Sequence, residues 1–241
     1  MVGRVHDWFA RGAATYDSSL GAMGEPETIG PAVELLSGLA GDGAALELAI
    51  GTGRIALPLA RRGVRVSGID LSPDMVAQLR AKPGGAELPV TIGDIASTTV
   101  DGEFSLVFLV FNTINNLTTQ DAQVACFENA ARHLRPGGSF VIEVGVPALQ
   151  RLPPGELYVP FGVEDDYAGI DEYDVVTQRL VSHHYYRGER RSIPFRYVWP
   201  SELDLMARIA GLERAERWSG WGRKPFTAES RSHVSVWRKP S

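Results

Sequence analysis

The sequence predicts an α/β fold: a seven-stranded sheet flanked by helices, with N-terminal helices before it and a small antiparallel β insertion after its fifth strand. Three observations predict it. Strand-like and helix-like segments alternate from about residue 40 to 145, which implies parallel strands joined by right-handed crossovers with helices on both faces. A glycine turn, Gly51-Thr52-Gly53, joins the first apolar strand to a helical pattern. The alternation then stops, and prolines, aromatics and β-prone runs fill residues 147–199.

Each element has its own signal. Residues 5–40 read as helices, with Val5, Trp8 and Phe9 on one face and Ile29, Val33, Leu35, Leu36 and Leu39 at helical spacing. Ala45–Ile50 reads as the first strand, and the helix Ile55–Arg62 turns its positive end toward the glycines. Arg65–Ile69 is the second strand; Ser72 caps the next helix and Pro73 occupies its first turn. Val90–Ile92 is a short third strand. Phe104–Phe111 is a continuous apolar run of the kind buried in parallel sheets. The helix Gln120–Leu134 is expected to stop at Pro136-Gly137-Gly138, ahead of a fifth strand, Ser139–Val144. In the insertion, Asp174–Leu180 and Ser192–Val198 read as antiparallel strands. A last helix from Ser201 through Ile209 ends at Gly211, and strands Arg214–Trp218 and His233–Trp237 close the chain around a Gly/Pro-rich loop. The expected organisation is one domain over residues 1–241, with 1–40 as a helical cap and 147–199 as a β-rich lid.

At 241 residues, 44% hydrophobic and 22% charged, the chain has the make-up of a globular protein with a sizeable core. Its formal net charge of −5 argues against nucleic acid or an anionic membrane as partner, since both demand a basic surface. The single cysteine, Cys126, cannot form an internal disulfide and reads as small apolar filler on a helix, so a cytoplasmic setting is expected. Neither a signal-peptide hydrophobic region nor a bilayer-length apolar run is present. No metal is expected, because no Cys/His/carboxylate spacing converges.

The glycine turn carries the chemistry. Gly51 and Gly53 permit positive φ and are expected to bring bare N–H groups against a ligand. Gly51-x-Gly53-x-x-Ala56, with Asp70 after the second strand, also fits the dinucleotide fingerprint, which leaves an NAD(P)-dependent oxidoreductase as an alternative. Other features point elsewhere. Glu47 lies inside the first strand, where a carboxylate is costly unless compensated. Gly93-Asp94-Ile95 closes the third strand with a second acid, helical sequence precedes the first strand, and two strands end the chain.

Together these residues resemble the class I S-adenosylmethionine-dependent methyltransferases, over roughly residues 40–145 plus the terminal helix and strands. Their Glu-x-Gly-x-Gly-x-Gly motif reads here Glu47-Leu48-Ala49-Ile50-Gly51-Thr52-Gly53, with Ala49 in place of the first glycine, a departure tolerable if position 49 is extended strand. Gly68-Ile69-Asp70-Leu71-Ser72 and Gly93-Asp94-Ile95 look like the second and third motifs, and Arg135-Pro136-Gly137-Gly138 is another family habit. The resemblance implies a Rossmann-like fold, S-adenosylmethionine as cofactor, Asp70 on the ribose hydroxyls and Asp94 near the adenine amine. Leu71, Met75 and Ile95 offer apolar faces to the base, and the methionine end lies over Gly51 and Gly53 near Phe111. A non-catalytic binding protein that kept the fold would bind the cofactor and turn nothing over.

The acceptor side is similar, more loosely, to bacterial amino-sugar N-methyltransferases and related antibiotic-pathway enzymes, through Tyr16-Asp17, Phe111-Asn112-Thr113-Ile114-Asn115-Asn116-Leu117 and the β-rich insertion. That resemblance implies methyl transfer to O or N of a small molecule in secondary metabolism, by a monomer or homodimer. It places Tyr16 over the methionine end. Asn112 and Asn116 would orient the acceptor, although an amide cannot take its proton. Strand alternation allows only one of His183 and His184 to point inward, as a candidate base. Tyr186, Trp221 and Arg223 are expected around the acceptor, and the insertion's remaining charges are expected to pair across strands.

Overall fold

A computed structural model describes residues 12–21 and 25–241. The expected helical face of Val5, Trp8 and Phe9 lies outside the described residues. Short turns of helix at Ala13–Thr15 and Tyr16–Ser19 (α1) lead to α2, Pro26–Ala40. The α/β body then runs β1 (Ala44–Leu48), α3 (Ala56–Arg61), β2 (Arg65–Asp70), α4 (Pro73–Arg80), β3 (Val90–Ile92), β4 (Phe104–Leu109), α5 (Gln120–His133) and β5 (Leu134–Gly145). An insertion of four strands follows: β6 (Tyr158–Glu164), β7 (Tyr167–Asp174), β8 (Arg179–Tyr186) and β9 (Glu189–Arg196). The chain closes with α6 (Pro200–Ile209), β10 (Glu213–Trp218) and β11 (Ser232–Arg238).

Seven strands form one sheet in the order β3-β2-β1-β4-β5-β11-β10. The first five are parallel, while β11 runs antiparallel between β5 and β10. The order reverses direction between β1 and β4, so the loops leaving β1, β2 and β4 open a crevice at their carboxyl ends. Strand alternation divides the core. Phe140, Ile142 and Val144 pack with Phe127 and Trp237 under α5 and α6, whereas Val141 joins Leu106 and Phe108 under α2 and α3. Phe127 meets Phe140 edge-on at 5.1 Å and Trp237 at 5.3 Å, the preferred aromatic geometry. Among the described residues no helix is long and apolar enough to cross a membrane.

The insertion is a separate antiparallel sheet, β6-β7-β8-β9. Arg196, at the end of β9, is buried and anchors it to the body. Its guanidinium donates to Gln123 of α5 and, at 2.7 Å, to Glu202 of α6. Those bonds satisfy a buried charge on both sides, and they hold the last strand of the insertion over the crevice.

Two expectations are corrected. Asp174–Leu180 is not a strand: Asp174 Oδ1 accepts the Val176 N–H at 3.0 Å and Oδ2 accepts the Thr177 hydroxyl, which makes a tight turn between β7 and β8. The helix before β5 ends at His133, and residues 135–138 already belong to the strand. There Gly137 N–H donates to the Lys239 carbonyl and Lys239 N–H to the Gly138 carbonyl, so the tail of the chain extends the ladder over residues expected only to stop the helix.

Candidate active site

A cavity of about 410 Å³ opens at the carboxyl ends of β1, β2 and β4. Nine of the residues expected at the cofactor line it: Tyr16, Ala49, Gly51, Asp70, Leu71, Met75, Asp94, Ile95 and Phe111. Asn112, Thr113, Asn116 and Leu117 continue the wall, and Ile193 and Phe195 of β9 roof it.

The glycine turn is built differently from expectation. Gly51 (φ 54°) donates its N–H to Asp70 Oδ2 at 2.7 Å, and Gly53 (φ 81°) donates to the Ile50 carbonyl at 3.0 Å. Neither N–H is left bare for a ligand. Gly53 does not reach the cavity. A β-carbon there would lie 2.3 Å from Leu79 Cδ1 of α4, and the φ of 81° is itself strained for any other residue. Ala49 is not extended strand either. Its φ is 60°, the left-handed region where the family's glycine belongs, at a cost of about 1–2 kcal/mol for a residue with a β-carbon.

Asp70 is held by two backbone donors, Gly51 on one oxygen and Ser72 on the other at 2.8 Å. The group is buried and stands in the cavity wall. Ser72 also caps α4, as expected, through Met75 N–H. Asp94 Oδ1 accepts the Ala96 N–H at 2.8 Å and stands beside Ile95. Glu47 lies behind the turn instead of in the cavity. It is 3% exposed, and no hydrogen bond to its Oε2 is found among the described residues. Burial pushes its carboxyl well above the usual range; Arg54 opposes that shift and Asp70 reinforces it.

A second tie, not expected from the sequence, binds the N-terminal segment to the turn. Thr52 Oγ1 donates to Asp17 Oδ1 at 2.6 Å, while Lys82 Nζ pairs with Asp17 Oδ2 at 2.5 Å and donates to the Thr52 carbonyl at 2.7 Å. Tyr16, one residue before, is thereby held against the cavity. Burial raises its phenol pKa, partly offset by Arg54, so the hydroxyl stays protonated. The ring of Phe111 lies under the Arg54 guanidinium at 4.5 Å.

On the acceptor side, Phe111 and Asn112 both have φ near 60°. Beneath them stands a residue not among those expected at the site, Glu143 of β5. Its Oε2 accepts the Phe111 N–H at 3.1 Å and its Oε1 the Trp221 indole N–H at 2.7 Å. Trp221 therefore does not wall the cavity, nor does Arg223, whose guanidinium sits 5.2 Å over Trp218. Tyr186 is also away from the cavity, exposed under Arg187.

The histidines separate as strand alternation requires. His183 faces away with Glu172 at 2.9 Å and Ser192 at 2.8 Å, the cross-strand pairing expected of the insertion's charges. Ser182 sits opposite Ile193 in the ladder, so His184, two residues on, shares the cavity-side face. Its ring lies between Tyr167 (3.0 Å) and Ser182 (3.2 Å), and burial, with His183 adding, lowers its pKa. Neither histidine lines the cavity itself.

With this geometry in hand, a methyltransferase-domain family matches residues 45–138, the span from the glycine turn to β5. The solved CcbJ methyltransferase of Streptomyces caelestis is 38% identical, over 95% of this chain and 96% of its own, with a TM-score of 0.82. The chain is a class I S-adenosylmethionine-dependent methyltransferase. A cypemycin N-terminal methyltransferase from a Streptomyces species is 29% identical over 198 residues, 79% of this chain and 81% of that protein. A dTDP-3-amino-3,6-dideoxy-α-D-glucopyranose N,N-dimethyltransferase of Streptomyces fradiae is 32% identical over 64% of this chain and 55% of its own length. The NAD(P) alternative is set aside by this membership. The methyltransferase's cavity suits its cofactor chemically: a fixed carboxylate at the end of β2, apolar Leu71, Met75 and Ile95 for a flat base, and Asp94 beside them.

Proposed function

We propose that this methyltransferase transfers the methyl group to a nitrogen of a small amine, with oxygen as the second reading, in a cytoplasmic secondary-metabolite pathway. One observation carries the reading. A single cavity joins the donor residues at the ends of β1 and β2 to an acceptor wall made by Asn112, Asn116 and the roof residues Ile193 and Phe195. Nitrogen is favoured because the Streptomyces fradiae enzyme is named an N,N-dimethyltransferase of an amino sugar and the cypemycin enzyme a methyltransferase of an N-terminus.

Bound S-adenosylmethionine supplies an activated methyl group on a sulfonium, so the protein's work is orientation and exclusion of water. In this reading Asp70 accepts the ribose hydroxyls, and Leu71, Met75 and Ile95 enclose the adenine with Asp94 at its amine. Tyr16 and Phe111 border the methionine end. Asn116 orients the acceptor without taking a proton. Residues 147–199 act as the lid, and His184, with its pKa lowered, is the neutral histidine available on the lid's inner face. Calorimetry with S-adenosylmethionine and NAD(P), then mass spectrometry of methylated products from paired amine and alcohol acceptors, tests the reading. Methylated alcohols without methylated amines would overturn the choice of nitrogen.

A further inference from the structure

Glu143 commits both carboxylate oxygens and its carbonyl to residues around the cavity. Besides Phe111 N–H and the Trp221 indole, its backbone oxygen accepts the Asn112 N–H at 3.2 Å. Two of the residues so held, Phe111 and Asn112, are consecutive and left-handed, and both line the cavity. Backbone of this kind persists only where its surroundings over-determine it. Glu143 supplies two of the ties, and a third comes from Asn112 Oδ1, which accepts the Gly145 N–H at 2.6 Å. Trp221 belongs to the loop between β10 and β11, far along the sequence from Phe111 and outside the cavity wall. One carboxylate therefore joins that loop to the end of β4.

We infer that Glu143 is a positioning residue that fixes the backbone at Phe111-Asn112 for donor binding and couples the Trp221 loop to it. The inference rests on the proposed placement of the methionine end of S-adenosylmethionine beside Phe111. The residue type matters. A carboxylate accepts an N–H donor on each of its two oxygens at once. A glutamine offers one carbonyl oxygen and turns an NH₂ toward the other donor; an alanine accepts neither. Once released, Phe111 and Asn112 can leave the left-handed region, and the wall at the donor's end moves with them.

The test uses S-adenosylmethionine itself as probe, by titration calorimetry on wild type, Glu143→Gln and Glu143→Ala. Indole N–H spectra accompany it, with the Trp221 signal assigned through Trp221→Phe. Affinity is expected to fall about tenfold in Glu143→Ala and about threefold or more in Glu143→Gln. The Trp221 indole signal should move upfield in both variants, and in wild type it should shift when S-adenosylmethionine is added. If the alanine variant does not fold, the glutamine variant decides. Affinity within twofold of wild type in the folded variants, whatever their unfolding midpoints, shows a merely structural carboxylate and overturns the inference. An indole signal indifferent to S-adenosylmethionine overturns the coupling to the loop. A wild type that does not bind S-adenosylmethionine breaks the donor placement itself, and this inference with it.

Discussion

Asp70 and Gly51 are joined by a 2.7 Å hydrogen bond from the glycine's N–H to the carboxylate, so the acid proposed to take the ribose also closes the glycine turn. Removing that carboxylate strands two backbone donors, Gly51 and Ser72, besides any ribose hydroxyls. Asp70→Ala should weaken S-adenosylmethionine binding by about 1–3 kcal/mol and lower folding stability by a similar amount. Asp70→Asn keeps one acceptor oxygen and should do less of both. Calorimetry and urea unfolding measure the two losses; unchanged affinity would sink the ribose assignment, and unchanged stability the structural one.

Ala49 offers a gain. Its φ of 60° places an alanine where glycine meets no steric penalty. Ala49→Gly should stabilise the fold by about 0.5–1 kcal/mol, the relieved left-handed strain less the glycine's extra entropy when unfolded. An unfolding midpoint that falls in the variant would mean the alanine methyl contributes more by packing than it costs in strain.

What the sequence made legible was local. Gly51, Asp70, Ser72 and Asp94 sit at strand ends whose type follows from residue pattern alone, so the strands and this wall of the cavity could be read directly. Even there the pattern misassigned Gly53, which packing against Leu79 explains, and Ala49, whose backbone is turned and not extended. The acceptor side was less legible because it depends on contacts distant in sequence. Ile193 and Phe195 reach the cavity only because Arg196 ties β9 to Gln123 and Glu202. Trp221 and Arg223 are the expected residue types in the expected loop, but Glu143 and Trp218 hold them aside. Glu143 itself, a lone acid in an apolar strand, carries the same signal as Glu47.

The clasp on the N-terminal segment gives a third prediction. Burial acts against the charge on Asp17, yet the hydrogen bonds from Lys82 and Thr52 prevail and hold its carboxyl below the ordinary range. A group with a depressed folded pKa contributes stability above its unfolded value of 3.8, lost as the pH falls through the folded one. The clasp should therefore stay intact across the neutral range and open only in acid. Asp17→Asn and Lys82→Met should each weaken S-adenosylmethionine binding by about threefold, through looser placement of Tyr16, with little change in unfolding midpoint. Equal affinity in both variants and wild type would show that Tyr16 is placed without the clasp.

His233 sets how the protein responds to mild acid. The imidazole is fully buried, with Nδ1 at 2.8 Å from Ser235 Oγ and Nε2 without a hydrogen bond among the described residues. Burial, with the Arg217 guanidinium adding and Asp204 opposing, lowers its pKa from 6.5 to about 4. Above about pH 6.5 both folded and unfolded histidine are neutral, and the fold loses nothing. Below that the unfolded chain takes up a proton that the folded one refuses, so stability declines as the pH falls toward 4. The difference integrates to about 3 kcal/mol. His233→Gln removes the titration while keeping a polar side chain of similar reach. Urea unfolding at pH 7, 5.5 and 4.5 should show wild type losing about 2 kcal/mol of that increment relative to the variant by pH 4.5. Carboxylates elsewhere lower both curves alike, so the gap between them isolates His233; parallel curves would mean the buried imidazole is not what the acid attacks.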